Sequence, residues 1–542
     1  LPGGVDPLSD SNVEMTWLTF AGEYHEIYEE MIRVRCLKDG LGDDPDTFEE
    51  GYFIYQINGD EVSVWEYMGD DDVIIDIPEV VTHEGKEYLV TESVATFWES
   101  CIEVINFGSN VRLISEFSFQ GRNIREINVS EDNEYYSSVD GVLFNKSQNT
   151  LINFPVAKEI DVYEIPASVS SLSPFSFQHS LYLEKVVLND GLVRIGRWAF
   201  GYCSKLEHIS SSQGMDVFPT TVALIGDCAF YRCESLNSFS LPEELEVIGS
   251  SAFESCGMTE VSLPYNITSI GERTFSNCMN LTEFSFSSGY SASLSIHQGV
   301  LYRYSPSSME LLSYPAAKGS ETYTLHDETT KIMPGAFAGC SNLKEVILND
   351  NLSTIDMTAF QDCHSLTTID LKNILMINTS AFDGCENLRD VTFGRNLYYI
   401  GISAFQGTAI ESVTFGNNLV TTGMEAFAEC PNLKEVIISP DCPVALTYNT
   451  FYNDNSLKSI FVEGYKATFE EGSLDIGCSS EYIVTVDVYV KEGYSLPDDV
   501  GGEFTIVNVI EEGKGPYPYE NWIGVFFCVL LIIGILMFVR EV

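Results

Sequence analysis

Thirteen phenylalanines recur along the chain at a spacing that independent domains would not produce. They are Phe97, Phe119, Phe177, Phe200, Phe230, Phe253, Phe275, Phe337, Phe360, Phe382, Phe405, Phe427 and Phe451, and most neighbours lie 22 or 23 residues apart. A period of that length belongs to a stacked repeat in which each unit contacts only its neighbours. The surrounding phrase repeats too, as "GAFAGCSNLKEVIL" (Gly335–Leu348), "SAFDGCENLRDVTF" (Ser380–Phe393) and "EAFAECPNLKEVII" (Glu425–Ile438). The residue before the Phe is small, usually Ala and otherwise Ser or Thr, so neighbouring coils can approach closely. Four residues before it stands Gly196, Gly226, Gly249, Gly271, Gly401 or Gly423, replaced by Asp356 or Asn378 in two coils. These residue types tolerate positive φ, so a left-handed turn is predicted there. Downstream, "LKEVIL" places Leu343, Val346 and Leu348 inward and alternates them with outward residues, as a strand does. One coil cannot bury its own apolar face; stacking at about 4.8 Å per coil gives a parallel sheet and a continuous core.

Charge narrows the partners. With 80 Asp and Glu against 28 Lys and Arg, the formal net charge is −52. Such a surface repels nucleic acid and anionic membranes, and suits solvated acidic faces or loosely bound cations. One stretch differs: "WIGVFFCVLLIIGILMFV" (522–539) carries no charge and as a helix would span roughly 27 Å. It is predicted to be a single transmembrane helix, with residues 540–542 as a cytoplasmic tail and the acidic bulk outside. The chain begins "LPGG", so a removed signal peptide is expected.

The pattern "IGxxAFxxCxxLxxVxL" resembles the BspA-type leucine-rich repeat of microbial surface proteins, and the resemblance runs from about Thr91 to Val462. It implies a β-rich leucine-rich-repeat solenoid: a curved right-handed coil with a parallel sheet on the concave face and short strands and helical turns on the convex face. The expected organisation is an N-terminal leader (1–50), a β-rich cap (51–94), the solenoid (95–463), a C-terminal β cap (464–512), a stalk (513–521) and the helix. Two related inserts interrupt the rhythm, near 135–166 and 290–326. "DGVLFNKSQNTLINFPVAKEIDVYEIP" aligns with "QGVLYRYSPSSMELLSYPAAKGSETYTL", matching Gly141 to Gly299, Pro155 to Pro315 and Tyr163 to Tyr323. Both read as a hairpin followed by a strand.

Catalytic motifs are not found: the sequence holds no HExxH, GxSxG, P-loop or CxxC, and its seven histidines are scattered. No enzyme activity, cofactor or metal is therefore expected. Eight of fourteen cysteines sit three residues after the repeat Phe, from Cys203 to Cys430, in a slot that elsewhere holds Arg122, Ser180, Thr408 or Asp454. A metal ladder or disulfide framework would not tolerate those replacements, so the row is read as packing. Cys442 and Cys478 fall outside it and are the candidate disulfide.

The outward strand residues form the candidate binding face. One row holds Ser210, Ser240, Ser262, Ser285, Asp370, Thr392 and Thr414; the next holds Glu260, Glu283, Glu345, Asp390 and Glu435, with Ile347 and Ile437 as apolar exceptions. A broad polar face without a deep pocket suits extended ligands. The sequence thus reads as a membrane-anchored surface protein that adheres to proteins or glycans on host, matrix or neighbouring cells. The alternative is a structural component of an acidic cell-surface coat.

Overall fold

The computed structural model describes residues 46–510 apart from 70–71, 96, 98–100, 120, 290, 306–307, 471, 475–485, 492–495 and 497–504. The chain divides into two compact units. One holds the residues up to Cys278 with Ser285–Ala292, the other Met279–Phe284 with the residues from Ser293 onward.

The first unit opens with an antiparallel ribbon, Thr47–Glu50, Phe53–Asn58 and Glu61–Tyr67. Its last strand pairs in parallel with Lys86–Ser93, which pairs in turn with Leu113–Ile114. A second ribbon follows, Tyr136–Val139, Val142–Asn145 and Thr150–Asn153. It heads an eight-stranded sheet that continues through two-residue parallel strands from Ser171–Leu172 to Ser269–Ile270. The second unit repeats the device: Leu294–His297, Val300–Ser305 and Ser308–Ser313 head a ten-stranded sheet ending at Thr468–Phe469. Asp140-Gly141 and Gln298-Gly299, all at positive φ, make the tight turns of the two later ribbons. The inserts are therefore starting ribbons, and the cap at the N-terminal end is a third copy of the same device.

Each coil then contributes to a second parallel sheet. In the first unit this is Val162–Glu164, Lys185–Val187 and His208–Ser211. In the second it is Thr322–Thr324, Glu345–Ile347, Thr368–Leu371 and Asp390–Phe393, and separately Ser412–Phe415, Glu435–Ile438, Ser459–Val462, Asp487–Lys491 and Thr505–Ile510. The last two strands extend that sheet in parallel register.

The remaining side of the coil carries the phenylalanines. They stack nearly parallel: Phe177 to Phe200 at 4.8 Å and Phe200 to Phe230 at 5.0 Å in the first unit. In the second, Phe337, Phe360, Phe382, Phe405 and Phe427 follow at 4.7 to 5.2 Å. Phe154 and Tyr314 of the ribbons supply the first rungs, 5.0 and 5.2 Å from Phe177 and Phe337. Offset stacking at this distance is favourable beyond the area it buries.

Three expectations are corrected here. The phenylalanine side is built of consecutive tight turns; no helix occurs among the described residues, so the convex-face helical turns are absent. Among those residues no helix is long and apolar enough to cross a membrane. The stretch 522–539, like 1–45 and the tail, lies outside them, and the membrane anchor and single-pass localisation drop out of the reading. The glycine slot is also misread from sequence. Gly249 and Gly423 are not left-handed; a Cβ on Gly249 would lie 2.4 Å from the Asp227 amide nitrogen, and one on Gly423 2.2 Å from that of Ile402. Close backbone approach between coils demands the glycine. The left-handed residues sit two before and two after the Phe, as at Ser251 (φ 53) and Ser255 (φ 59) around Phe253. Each such L-residue costs about 1–2 kcal/mol, which the stacked coils on either side must offset.

Candidate binding face

The outward side of a strand is fixed by its inward partners. In the second unit Tyr323, Val346 and Ile369 are buried in register, so the alternate residues face out. Two rows result. One runs Thr322, Glu345, Thr368, Asp390; the other places Thr324 beside Ile347 and Asp370 beside Thr392. Glu345, Ile347, Asp370, Asp390 and Thr392 are thus brought together as the sequence implied, and all are exposed. A shallow groove of about 270 Å³ runs here, lined by Glu345, Ile347, Thr368, Asp370 and Lys372. Ile347 is 45% exposed, an unusual state for an isoleucine at the centre of a sheet. Lys372 lies 3.4 Å from Asp370, and Lys344 pairs with Glu321 at 2.7 Å. Exposed pairs like these contribute little to stability and leave the face acidic.

Elsewhere the agreement is partial. Glu260, Ser262, Glu283 and Ser285 are exposed on their strands, and Ser240 is exposed on an isolated bridge to Val217. Ser210 is buried instead, because Gly214–Met215 folds back antiparallel over it. In the last sheet Thr414 is exposed and Glu435 half-buried. Ile437 is buried, not exposed: it aligns with Phe461, which aligns with Tyr489 and stacks on it at 4.7 Å. These side chains cover one another on the outer surface.

Sequence reading missed Thr322, Thr324 and Thr368, which register alone assigns to the same rows. It also missed a ladder in the first unit, where Asn128 Nδ2 donates to Asn106 Oδ1 at 3.0 Å and Asn106 Nδ2 donates to Asp76 Oδ1 at 2.7 Å. These strands were assigned to the cap and to an early coil, so their outward residues were never aligned.

The cysteine row packs and bonds. Cys203 Sγ donates to the Phe177 carbonyl at 3.0 Å, Cys256 to Phe230 at 3.0 Å and Cys363 to Phe337 at 3.1 Å, one coil back in each case. Burial pushes the Cys203 and Cys278 thiols up to about 12, and those of Cys340 and Cys385 well above the ordinary value. Ser180 and Thr408 keep a hydroxyl donor in the slot, to Phe177 and Phe405. Cys442 is buried with its thiol 3.7 Å from the Leu419 carbonyl; Cys478 lies outside the described residues. Among the described residues no group of three or more His, Cys, Asp or Glu is placed to hold a metal ion.

Fold and face together define a parallel β-solenoid whose coils present outward rows of polar side chains. The sequence profile described as the BspA type leucine rich repeat region matches residues 91–310 and 316–485 in overlapping segments, and the chain belongs to that family. A second profile, that of the DNA sulphur modification protein DndE, matches residues 2–55, nearly all outside the described part. No curated protein matches the chain. Among solved structures, a leucine-rich repeat protein from Eubacterium ventriosum is similar at 17% identity and a TM-score of 0.50, covering 72% of this chain and 98% of its own. A leucine rich cell surface protein from Faecalibacterium prausnitzii aligns at 19% identity and a TM-score of 0.44, over 81% of this chain and 100% of its own. The pneumococcal vaccine antigen PcpA aligns at 17% and 0.42, over 86% and 98%.

Proposed function

We propose that this chain is a binding protein whose outward sheet face recognises extended protein or glycan partners. The observation that carries the reading is the in-register rows around exposed Ile347, with Glu345 and Asp370 beside it. An apolar centre within a polar, acidic rim is how recognition surfaces are composed. The shallow groove suits a chain laid across several strands rather than a small molecule held in a pocket. The full chain is to be screened on protein and glycan arrays, with and without a calcium chelator, beside Ile347→Glu and Asp370→Lys. A partner whose affinity falls at least about tenfold in both variants is expected. Absence of any partner, or binding indifferent to both substitutions, sinks the proposal.

A further inference from the structure

A concavity in the first unit lies away from the sheet face. Its origin is the starting ribbon. In register, ten residues (152–161) separate Leu151 from Val162, whereas twelve (196–207) separate Ile195 from His208 in an ordinary coil. The turn side is therefore short by two residues, and a cleft of about 590 Å³ opens there. Its size falls within the range of small-ligand sites. Glu116, Phe119 and Arg122 line one wall, and Phe175, His179 and Tyr202 line the other.

The chemistry of this cleft departs from the rest of the chain. His179 stacks on Tyr202 at 4.6 Å and 9°, and Trp198 stacks on Tyr202 at 5.8 Å and 12°. Arg197 lies over the Phe175 ring at 5.3 Å, and Arg232 lies 6.0 Å from that of Tyr202. Four of the 28 cationic side chains of a −52 protein, Arg122, Arg197, Lys205 and Arg232, thus gather around one cleft. Arg197 is paired with Glu116 at 2.7 Å; Arg122 and Lys205 have no carboxylate partner among the described residues. Against so negative a background, a local cationic wall concentrates anions at this place.

Aromatic side chains at a repeated backbone position make the same distinction. Phe175, His179, Trp198, Tyr202 and Arg232 all occupy the left-handed positions flanking the repeat Phe, with φ between 55 and 60 for the first three and 61 and 56 for the last two. The same positions hold Ser251, Ser255, Thr358, Asp362, Ser380 and Gly384 in other coils, and Arg273, Glu425 and Glu429 in two more, none of them aromatic. Bulky residues are disfavoured at such angles, so the aromatic side chains here are held against the preference of their backbone. On the lining, Asn153 is 6% exposed and its side-chain oxygen has no hydrogen-bond partner among the described residues.

We infer that this cleft binds a pyranose bearing one carboxylate or sulfate. Aromatic faces pack against the apolar face of a sugar ring, and Arg122 and Lys205 pair with the single negative group. The Asn153 oxygen and the Glu116 and Glu234 carboxylates accept from sugar hydroxyls. The same two carboxylates disfavour polyphosphates and nucleic acid, which carry more charge and fewer donors. The site is separate from the sheet face, so neither proposal's failure decides the other.

The test is calorimetric titration of the full chain with glucuronate, N-acetylneuraminate and glucose 6-sulfate, with glucose and a phosphotyrosyl peptide as controls. Tyr202→Ser is the diagnostic variant, because Ser is native at the equivalent Ser255, and Arg122→Glu, at an exposed position, leaves the core untouched. At least one acidic sugar is expected to bind at least tenfold more tightly than glucose and to lose tenfold or more in both variants. Failure of all three acidic sugars to bind, preference for the phosphopeptide, or affinity unchanged in Arg122→Glu overturns the inference. Carboxylate and sulfate ligands are told apart by which of the three binds.

Discussion

Phe360→Ala tests the stack at its middle. The ring is fully buried, 4.7 Å from Phe337 and 5.1 Å from Phe382, with interplanar angles of 8° and 6°. Its backbone amide bonds Ala381 O at 2.8 Å and its carbonyl accepts the Cys385 thiol at 3.0 Å, so both bonds survive truncation. The loss is side-chain burial plus a cavity between two rungs that the backbone holds apart, about 3–5 kcal/mol. Two broken ring pairs account for about 1–3 kcal/mol of that. Phe451→Ala is the comparison: equally buried, but its rung meets Phe427 at 6.2 Å and 25°. It is expected to cost about 1 kcal/mol less. Urea midpoints measured with the slope give the two values, and hydrogen exchange locates the damage. Protection should fall first in the coils of Phe337 and Phe382. A Phe360→Ala loss below about 1 kcal/mol, or one equal to that of Phe451→Ala, refutes the claim that stacked rungs hold the coils together.

Other substitutions probe the remaining positions. Gly249→Ala should lower the melting temperature by clash with Asp227, whereas Ser251→Gly should raise stability by up to about 1 kcal/mol by relieving φ 53; the reverse order would restore the left-handed reading of the glycine slot. Cys363→Ser should stay within about 0.5 kcal/mol of the native protein, while Cys363→Val removes the thiol's bond to the Phe337 carbonyl, which keeps the Cys340 amide at 3.1 Å, and should cost about 0.5–1.5 kcal/mol by chemical denaturation. Burial holds the Asp383 carboxyl up at about 6 despite a bond from Gln361 at 3.1 Å. Its folded value exceeds the unfolded one, so its contribution is full below about pH 4 and is lost as pH rises through 6. Asp383→Asn should remove that decline in a stability-against-pH series, and an unchanged slope between pH 4 and 7 would count against it. Thiol reagents should leave Cys203 and Cys278 unmodified until the chain unfolds, since burial suppresses their thiolates.

The repeat was legible because its demands are local in sequence. Phe360, its small neighbour Ala359 and the inward Val346 and Ile369 each announce their role within one period. What escaped depends on neighbours a coil away. Gly249 looks like a turn residue until Asp227 is seen 2.4 Å from its absent Cβ. Ile437 looks exposed until Phe461 lines up beside it, and Ser210 until the chain doubles back at Gly214. The helical turns of the convex face were implied by the family resemblance alone, and the observed turns instead take left-handed residues two before and two after the Phe, as at Ser251 and Ser255. The cleft escaped for a related reason: His179, Tyr202 and Arg232 lie 23 and 30 residues apart and become a wall only when three coils are laid side by side.

The starting ribbons bear on how such a chain can change its length. A bare parallel strand leaves its backbone groups open on one edge, which invites another chain to add on. A ribbon closes on itself by antiparallel pairing before the first parallel strand is laid down, as Val300–Ser305 and Ser308–Ser313 do ahead of Thr329–Ile332. Every ribbon is thus a finished beginning. Insertion or loss of a whole cassette, ribbon plus coils, leaves an antiparallel ribbon at its head, whereas loss of half a cassette leaves a bare parallel strand there. Lineages carrying this architecture should differ in length by cassettes, and each boundary brings a shortened turn side with it, a vacancy where the next binding pocket can be furnished.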